Sequence, residues 1–213
     1  MTGLTDYSAD NVLNYIVGKT AMPSLPTTWL ALFTAVGTDG GTGFTEVSGN
    51  NYSRAALSGD WSAASGDAPS SITNGSAITF ATPSGSWGTI IAWGICDAST
   101  GGNLLAWDYL GNYAWTPATI SQASPGVFTI YNMSYSPANG DSIVYSTEYG
   151  GTAPSSGTLT GLLTVAGVSG NNFNVGVNTG SAGSGNIRKV ASQSVAANVV
   201  VSFASSSLTL SLA

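Results

Sequence analysis

The sequence SWGTIIAWGICDASTGGNLLAWDYL, residues 86–110, places aliphatic and aromatic residues on either side of a polar segment, DASTGG. Asp97 and Asp108 are the only charged residues in this stretch. Apolar runs that are bounded by Gly-rich turns are typical of paired strands. We therefore predict a hairpin in which Asp97 caps the turn, while Gly101 and Gly102 take the positive φ angles that the chain reversal requires. On this interpretation Asp97 is structural, and the alternative of an enclosed catalytic acid is not favoured.

The chain on either side of this hairpin is also dominated by strand patterns. TTWLALFTA (27–35) is apolar on both faces, which predicts a strand that is covered on both sides. SAITFAT (76–82) and the alternating SLTLSL (207–212) are further predicted strands. We therefore expect an all-β fold.

One short helix is predicted near the start of the chain. Ser8 is a candidate N-cap, and Gly18 is expected to end the helix with a positive φ. Between them lies an apolar stripe formed by Val12, Leu13, Ile16 and Val17. Such a stripe usually packs on its own domain, and docking onto a partner is the alternative.

Composition excludes several classes of function. Charged residues are 7% of the chain, compared with about 25% in an ordinary soluble domain. The net charge of −6, with no basic run, argues against binding to nucleic acid or to anionic lipid. The first residues, MTGLTDYSADN, hold no apolar core of a secretory signal, so we expect synthesis in the cytoplasm. The single cysteine, Cys96, has apolar neighbours and is expected to be a buried, unreactive thiol.

Candidate catalytic residues are few. The chain has no histidine, which removes Ser-His triads, Cys-His dyads and His-ligated zinc sites. A glycosidase needs two opposed carboxylates, and the sequence alone leaves open whether a distant pair meets in space. The carboxylates considered are Asp39, Glu46, Asp60, Asp67, Asp97, Asp108, Asp141 and Glu148. Most lie in Gly-rich segments, where an Asp side chain commonly bonds backbone amides.

Two Gly-rich segments invite a ligand interpretation. TDGGTGFTE (38–46) offers Asp39 and Glu46 as calcium ligands, but it lacks the ligand spacing of a known calcium loop, so this remains a minor alternative. GSAGSGN (180–186) opens no helix and is predicted to be a flexible connector. We expect no catalytic, cofactor or metal site, and we do not expect an enzyme.

The segment SWGTIIAWGICDASTGGNLL (86–105) resembles the signature hairpin of a family of small virion proteins of tailed phages. GFTEVSGNNYSRAAL (43–57) is similar to the family's Glu-x-Ser-Gly-x-x-Tyr-x-Arg segment, and LALFTA (30–35) matches its first strand. The residues that carry the resemblance are Glu46, Tyr52, Arg54, Trp87, Gly88 and Asn103. Members are commonly labelled tail fibre proteins, and relatives resemble trimeric decoration, cement or head-fibre proteins of capsids.

The resemblance implies a discontinuous domain organisation. Residues 1–110 and 187–213 would form a host domain, an antiparallel β-sandwich or jelly-roll-like fold that binds the capsid. The segments GVFTIYNMSYSPANGDSIVYS (126–146) and GGTAPSSGTLTGLLTVAGVSGNNFNVG (150–176) resemble a small β module of phage structural proteins. Residues 111–186 would then form an inserted, projecting, β-barrel-like domain. Insertions are best tolerated at the tip of a hairpin.

The resemblance also implies a structural virion protein on the capsid exterior. It would be a homotrimer bound to the major capsid protein, made in the bacterial cytoplasm, with no cofactor and no nucleic-acid or membrane partner. The alternative is a tail-fibre component that recognises a host surface glycan or protein. The candidate outward binding face for that role consists of Tyr131, Tyr135, Tyr145 and Tyr149. The favoured interpretation of these tyrosines is that they are strand and interface residues.

Overall fold

The computed structural model describes residues 3–21, 27–38, 40–57, 61–65, 70–111, 113–131 and 135–212. Within these ranges the chain forms one helix, α1 (Asp6–Ile16), and nineteen strands, with every strand pairing antiparallel. The predicted all-β class with one short N-terminal helix is confirmed. Three of the carboxylates considered above, Asp39, Asp60 and Asp67, lie outside the described residues. Over the described ranges, no helix has the length and apolar character needed to cross a membrane.

The strands are β1 (Gly3–Leu4), β2 (Thr28–Ala35), β3 (Thr45–Glu46), β4 (Ala55–Leu57), β5 (Ser70–Thr73), β6 (Ile78–Thr79), β7 (Gly88–Ile90), β8 (Ala92–Cys96), β9 (Leu104–Tyr109), β10 (Thr116–Ile120), β11 (Val127–Ile130), β12 (Ser142–Ser146), β13 (Leu163–Thr164), β14 (Ala166–Ser169), β15 (Asn172–Asn174), β16 (Gly183–Lys189), β17 (Gln193–Val195), β18 (Ser202–Phe203) and β19 (Thr209–Leu212). They divide between two compact units. The first unit is Met1–Leu110 with Gln193–Ala213, and the second is Gly111–Ser192. Residues 187–192, which the sequence analysis assigned to the host domain, therefore belong to the second unit.

The main sheet of the first unit has the order β1-β9-β8-β2-β3, and β4 also pairs with β2. β2 lies beside β8, in a register that sets Trp29 opposite Cys96 and Phe33 opposite Ala92. Four successive residues of β2, 30–33, are buried, as expected for a strand that is covered on both faces. β8 and β9 form the hairpin predicted from the opening stretch.

The last part of the chain completes the first unit. β17, β18 and β19 pair with β7, β6 and β5 in turn, so the returning chain follows the earlier strands in reverse order. Val195 in β17 and Leu208, directly before β19, are buried. Ser206 takes a φ of 60° in the turn between β18 and β19, a conformation that glycine adopts more readily.

The second unit is a single seven-stranded sheet with the order β13-β12-β16-β10-β11-β15-β14. The two edge strands, β13 and β14, are separated in sequence by Val165 alone, so the sheet must curl back on itself into a nearly closed barrel. Its interior is filled by buried apolar side chains, among which Phe128 and Phe173 stack with ring centroids 5.2 Å apart. The predicted small β-barrel-like domain is confirmed as a fold.

The prediction that residues 180–186 form a flexible connector is wrong. Residues 183–186 are the first half of β16, which lies between β10 and β12 in the barrel. The small residues there serve close packing, since a Cβ on Gly185 would lie 2.5 Å from the Tyr145 ring and 2.8 Å from the Ser146 carbonyl oxygen. The Gly-rich composition therefore reflects close packing within a strand.

The helix begins earlier than predicted, because its N-cap is Thr5 and not Ser8. β1 pairs with β9, and the Thr5 amide donates to the Leu105 carbonyl oxygen at 3.0 Å, which fixes the chain direction before the helix starts. At the other end Gly18 has a φ of 70°, and the Lys19 amide donates to the Asn14 carbonyl oxygen at 2.8 Å. This Schellman arrangement confirms Gly18 as the residue that ends the helix.

The expectation that the apolar stripe of α1 packs on its own domain is wrong for three of its four residues, whereas the fourth, Val12, is half-buried. Leu13, Ile16 and Val17 are 61%, 69% and 72% exposed, whereas Ser8 is the buried residue of the helix. The rotation of the helix is set by the pairing of β1 with β9 and by the burial of Ser8. As a result, its most apolar side chains face away from the unit.

Candidate functional site

Three side chains of the Glu-x-Ser-Gly-x-x-Tyr-x-Arg segment, those of Glu46, Tyr52 and Arg54, form one hydrogen-bonded cluster in the first unit. Arg54 makes a bidentate ion pair with Glu46, at 2.9 Å from Nε to Oε1 and 2.7 Å from Nη2 to Oε2. The Tyr52 hydroxyl donates to Glu46 Oε1 at 3.0 Å and accepts from the Leu32 amide of β2 at 2.9 Å. Burial, with the adjacent Glu46 charge, raises the pKa of Tyr52 above its usual value, so the phenol stays protonated.

Arg54 also connects this cluster to the hairpin. Its Nη1 donates to the carbonyl oxygens of Ala98 at 2.6 Å and Gly101 at 2.8 Å, both in the turn between β8 and β9. The hydrogen bonds to Glu46 raise the pKa of Arg54, so the guanidinium is charged at every physiological pH. The fixed fork of a guanidinium suits this use, because it reaches a carboxylate and two carbonyls at once.

Asp97 lies in the turn itself. Its Oδ1 accepts from the Asn103 backbone amide at 2.6 Å, and its Oδ2 accepts from the Asn103 side-chain amide at 2.8 Å. Gly101 and Gly102 have φ angles of 61° and 69°. The Asp97 carboxylate thus links the two ends of the turn, and both oxygens are engaged in doing so.

Trp87 and Tyr52 belong to an aromatic cluster beside the ion pair. The Trp87 indole donates from Nε1 to the Asn50 carbonyl oxygen at 3.0 Å, and its ring meets the Tyr52 ring edge-on at 5.2 Å. Phe80 stacks on Tyr52 at 6.2 Å. Gly88 follows with a φ of 79°. The structure therefore brings the residues of both motif segments together in one unit, where they hold strands and turns in place.

This cluster is poorly equipped for catalysis. Glu46, the carboxylate at its centre, accepts hydrogen bonds from Arg54 and Tyr52. Burial raises the pKa of the Cys96 thiol to about 11, so at neutral pH it is almost entirely the weakly nucleophilic thiol form. Asp108 is buried and accepts from the Tyr109 amide. Among the described residues, no three His, Cys, Asp or Glu side chains are grouped so as to hold a metal ion.

Backbone hydrogen bonds stabilise the turn at the start of the segment 38–46, which was considered as a calcium loop. The Thr38 amide donates to the Thr42 carbonyl oxygen at 2.9 Å, and the Gly41 amide donates to Thr38 at 3.0 Å. Of its two candidate carboxylates, Asp39 lies outside the described residues, and Glu46 is bound to Arg54. The arrangement around Glu46 therefore gives the calcium alternative no support.

The four tyrosines of the candidate outward face occupy different environments. Tyr131 is exposed and shares a hydrogen bond with Thr119 at 2.9 Å, and Tyr149 is exposed and lies against Trp115 at 5.2 Å. Tyr135, by contrast, is buried, and Tyr145 is half-buried against the barrel core. The four side chains therefore do not form one outward face, and Tyr131 and Tyr149 are the exposed pair.

Tyr135 belongs to a polar cluster at one end of the core. Its hydroxyl donates to Asp141 Oδ2 at 2.8 Å, and Lys189 Nζ lies 2.8 Å from Asp141 Oδ1. Burial alone raises the pKa of Asp141, but hydrogen bonds from Lys189 and Tyr135 lower it below its usual value. Lys189 Nζ also lies over the rings of Tyr113 and Tyr135. This cluster ties β16 to the start of β12.

A family model described as Podophage GP4 fiber I protein gp80 matches residues 3–125, more than half of the chain. The chain belongs to this family. The matched segment of this fibre family contains α1, the whole Arg54 cluster and β10 of the second unit, so its end does not coincide with the boundary between the two units. The predicted relationship to phage virion proteins is thereby confirmed at the level of a phage fibre family. Curated proteins include no match to the chain.

Sequence reasoning missed Asn50, a residue on which this cluster depends. The Asn50 carbonyl oxygen accepts a hydrogen bond from Trp87 Nε1, and its side-chain Nδ2 donates to the Ser86 carbonyl oxygen at 2.7 Å. The φ of Asn50 is 49°. The Gly-Asn-Asn run at 49–51 was the available signal, because asparagine tolerates the left-handed conformation better than most residues.

Proposed function

We propose that this protein is a structural subunit on the exterior of a tailed-phage capsid, which it decorates and stabilises as a homotrimer bound to the major capsid protein. The observation that carries the proposal is the use of the family's motif side chains. Glu46, Tyr52, Arg54 and Trp87 are all committed to internal contacts. Side chains used in this way hold strands and turns in place, which suits a structural subunit.

We assign a different role to each of the two units. The family match covers most of the first unit, so this unit is the one we assign to attachment, and the barrel is the part we assign to projection. The low charge of the chain supports close packing of many copies, because neighbouring subunits repel each other little. A trimer would also cover strand edges that otherwise invite unwanted pairing.

Copy number in purified particles tests the location. Hundreds of copies per particle, measured by quantitative mass spectrometry against the major capsid protein, are expected for a decoration protein. A number near a dozen would overturn the capsid assignment. Light scattering of the isolated protein tests the trimer separately, and a monomer both in solution and on the particle would overturn it.

A tail-fibre component that binds a host surface glycan or protein is the second candidate. It is favoured by the family description, which names a fibre, and by the exposed aromatic residues Tyr131 and Tyr149 on the barrel. Phages carrying Tyr131→Ala and Tyr149→Ala should then adsorb to host cells more slowly while assembling normally. Unchanged adsorption would contradict a receptor-binding role for these two residues.

A further inference from the structure

The barrel of the second unit has an open groove beside the end of β12. Its volume is about 560 Å³, which lies within the roughly 300–1,000 Å³ of small-molecule sites in proteins. One wall consists of residues 145–148, at the end of β12 and in the turn that follows, and the other of residues 153–154 and 157–160, in the connection to β13. The groove lies outside residues 3–125, the stretch that the family model matches. Binding residues are commonly placed in such connections, on a scaffold that holds them in position.

The connection that forms the second wall is held in place along its length. Thr152 exchanges two backbone hydrogen bonds with Ser184 of β16, at 3.1 and 2.8 Å. The Ser155 amide donates to Ser181 Oγ at 2.9 Å, and the Leu159 side chain is buried in the barrel core. The groove is therefore formed before any ligand arrives, which lowers the entropic cost of binding.

The less exposed residues that line the groove are apolar. Leu159 is buried, and Tyr145 and Pro154 are half-buried. The Tyr145 hydroxyl donates to the Ser184 carbonyl oxygen at 2.8 Å, which holds the ring in a fixed position. An aromatic ring and two aliphatic side chains offer packing surface to the C–H face of a sugar ring.

The more exposed residues that line the groove carry polar side chains that are free to bind a ligand. Within the part of the chain that the structure describes, the side chains that line the groove and make no hydrogen bond or ion pair with the protein are those of Thr147, Glu148, Thr158 and Thr160. A hydroxyl both donates and accepts, and a carboxylate is a strong acceptor for a hydroxyl. A ligand with several hydroxyl groups above an apolar ring face matches this arrangement.

The charge of the groove selects among such ligands. Glu148 is the only charged residue among the described residues that line it. A sugar acid or a phosphate would be repelled by this carboxylate, whereas a neutral sugar would donate to it. A glycosidase needs two opposed carboxylates, so a groove with one carboxylate is suited to binding without cleavage.

We propose that this groove binds a neutral oligosaccharide, with sugar rings against Tyr145, Pro154 and Leu159 and with sugar hydroxyls donating to Glu148. This site goes beyond the capsid role proposed above, and it rests on the tail-fibre alternative only for the source of the sugar, which is the surface of a bacterial host.

A glycan microarray probed with the full-length protein tests the binding. The array carries neutral oligosaccharides of bacterial surfaces together with counterparts that contain a uronic or sialic acid. We expect at least one neutral glycan to be bound, with a signal at least about tenfold above that of its acidic counterpart. Binding of acidic glycans alone, or of no glycan, would overturn the proposal.

Two substitutions at exposed positions assign the bound glycan to the groove. Glu148→Gln keeps the side-chain shape and removes the charged acceptor, so calorimetry should show a Kd at least about tenfold higher. Thr158→Trp fills the groove and should abolish binding. The matched controls, Asp10→Asn and Thr164→Trp, lie at exposed positions outside the groove and should leave the Kd unchanged. An unchanged Kd in either groove variant, or equal losses in the controls, would overturn the proposal.

Phage adsorption separates the site from its biological use. A phage that carries Glu148→Gln should adsorb to host cells more slowly than one that carries Asp10→Asn. Loss of glycan binding in the isolated protein with unchanged adsorption would uphold the groove and overturn the tail-fibre alternative as its use. Recovery of cleaved oligosaccharide after incubation with the protein would overturn the assignment of the groove to binding alone. Copy number on the particle tests the capsid role independently of all these results.

Discussion

Removing the Arg54 side chain should destabilise the first unit severely. Arg54 donates two hydrogen bonds to Glu46 and two to the carbonyl oxygens of Ala98 and Gly101. Arg54→Met keeps most of the side-chain volume but leaves Glu46 without its cation. Loss of one partner from a buried ion pair costs about 3–5 kcal/mol. Because the Glu46 side chain is 27% exposed and water reaches it, we expect a loss near the lower end, about 3 kcal/mol.

Urea unfolding followed by tryptophan fluorescence measures this loss in the correct unit. Five of the six tryptophans lie in the first unit, namely Trp29, Trp61, Trp87, Trp93 and Trp107. The fluorescence transition therefore reports that unit, even if the barrel unfolds separately and the whole chain is not two-state.

A surface control variant and a double variant test whether the Arg54–Glu46 ion pair accounts for this loss of stability. Lys19→Met removes an exposed cation and should change stability by no more than about 0.5 kcal/mol. Glu46→Gln combined with Arg54→Met should cost less than the sum of the single changes, because no unpaired carboxylate is left behind. If Arg54→Met costs no more than Lys19→Met, or if the two changes at the ion pair are additive, the cluster does not hold the unit together as described.

The other predictions concern the turn, the barrel and the domain division. Gly102→Ala should lower the free energy of unfolding in urea more than Gly101→Ala, by about 1 kcal/mol, because both positions have a positive φ but only a Cβ at Gly102 meets the Asp97 carboxylate. Asp97→Asn should cost at most about 1 kcal/mol, measured in the same way, and loss of folding would contradict its role as a replaceable turn cap. The pKa of Asp141 is lower in the folded than in the unfolded chain, so the carboxylate stabilises the barrel above about pH 4, and this stabilisation is lost as the pH falls through the folded pKa. In Asp141→Asn the free energy of unfolding of the barrel should therefore depend less on pH in acid. Replacing 111–192 by a short Gly-Ser linker should leave a first unit that unfolds cooperatively in urea, and an aggregated product would contradict the two-unit division.

The turn and the central strand could be predicted from sequence because their signals are local. A Gly-Gly pair after an Asp-capped reversal requires positive φ angles whatever surrounds it, and 101–102 has them. The apolar run of β2 requires cover on both faces wherever the strand lies. In these cases the residues themselves carry the constraint.

The prediction failed where distant pairings decide the outcome. The rotation of α1 depends on β1 pairing with β9, about a hundred residues away, and no periodicity in the helix contains that information. The strand at 183–189 has the composition of a linker, and its glycines make sense only once Tyr145 is known to pack across it. Likewise, the buried Tyr135 donates a hydrogen bond to Asp141, six residues later, whereas the exposed Tyr131 shares its hydrogen bond with Thr119.

The return of the chain to the first unit has a consequence for synthesis. On the ribosome, β5, β6 and β7 emerge more than a hundred residues before the strands that cover them, whereas all strands of the barrel are made in one uninterrupted stretch. The barrel can therefore fold during translation. In the first unit, β5, β6 and β7 remain without these partners until residues 193–212 have left the exit tunnel. A chain cut short anywhere in that interval leaves the strand edges of β5, β6 and β7 without the partners that complete the first unit. A truncated subunit of this kind is therefore prone to aggregate through its unpaired strands.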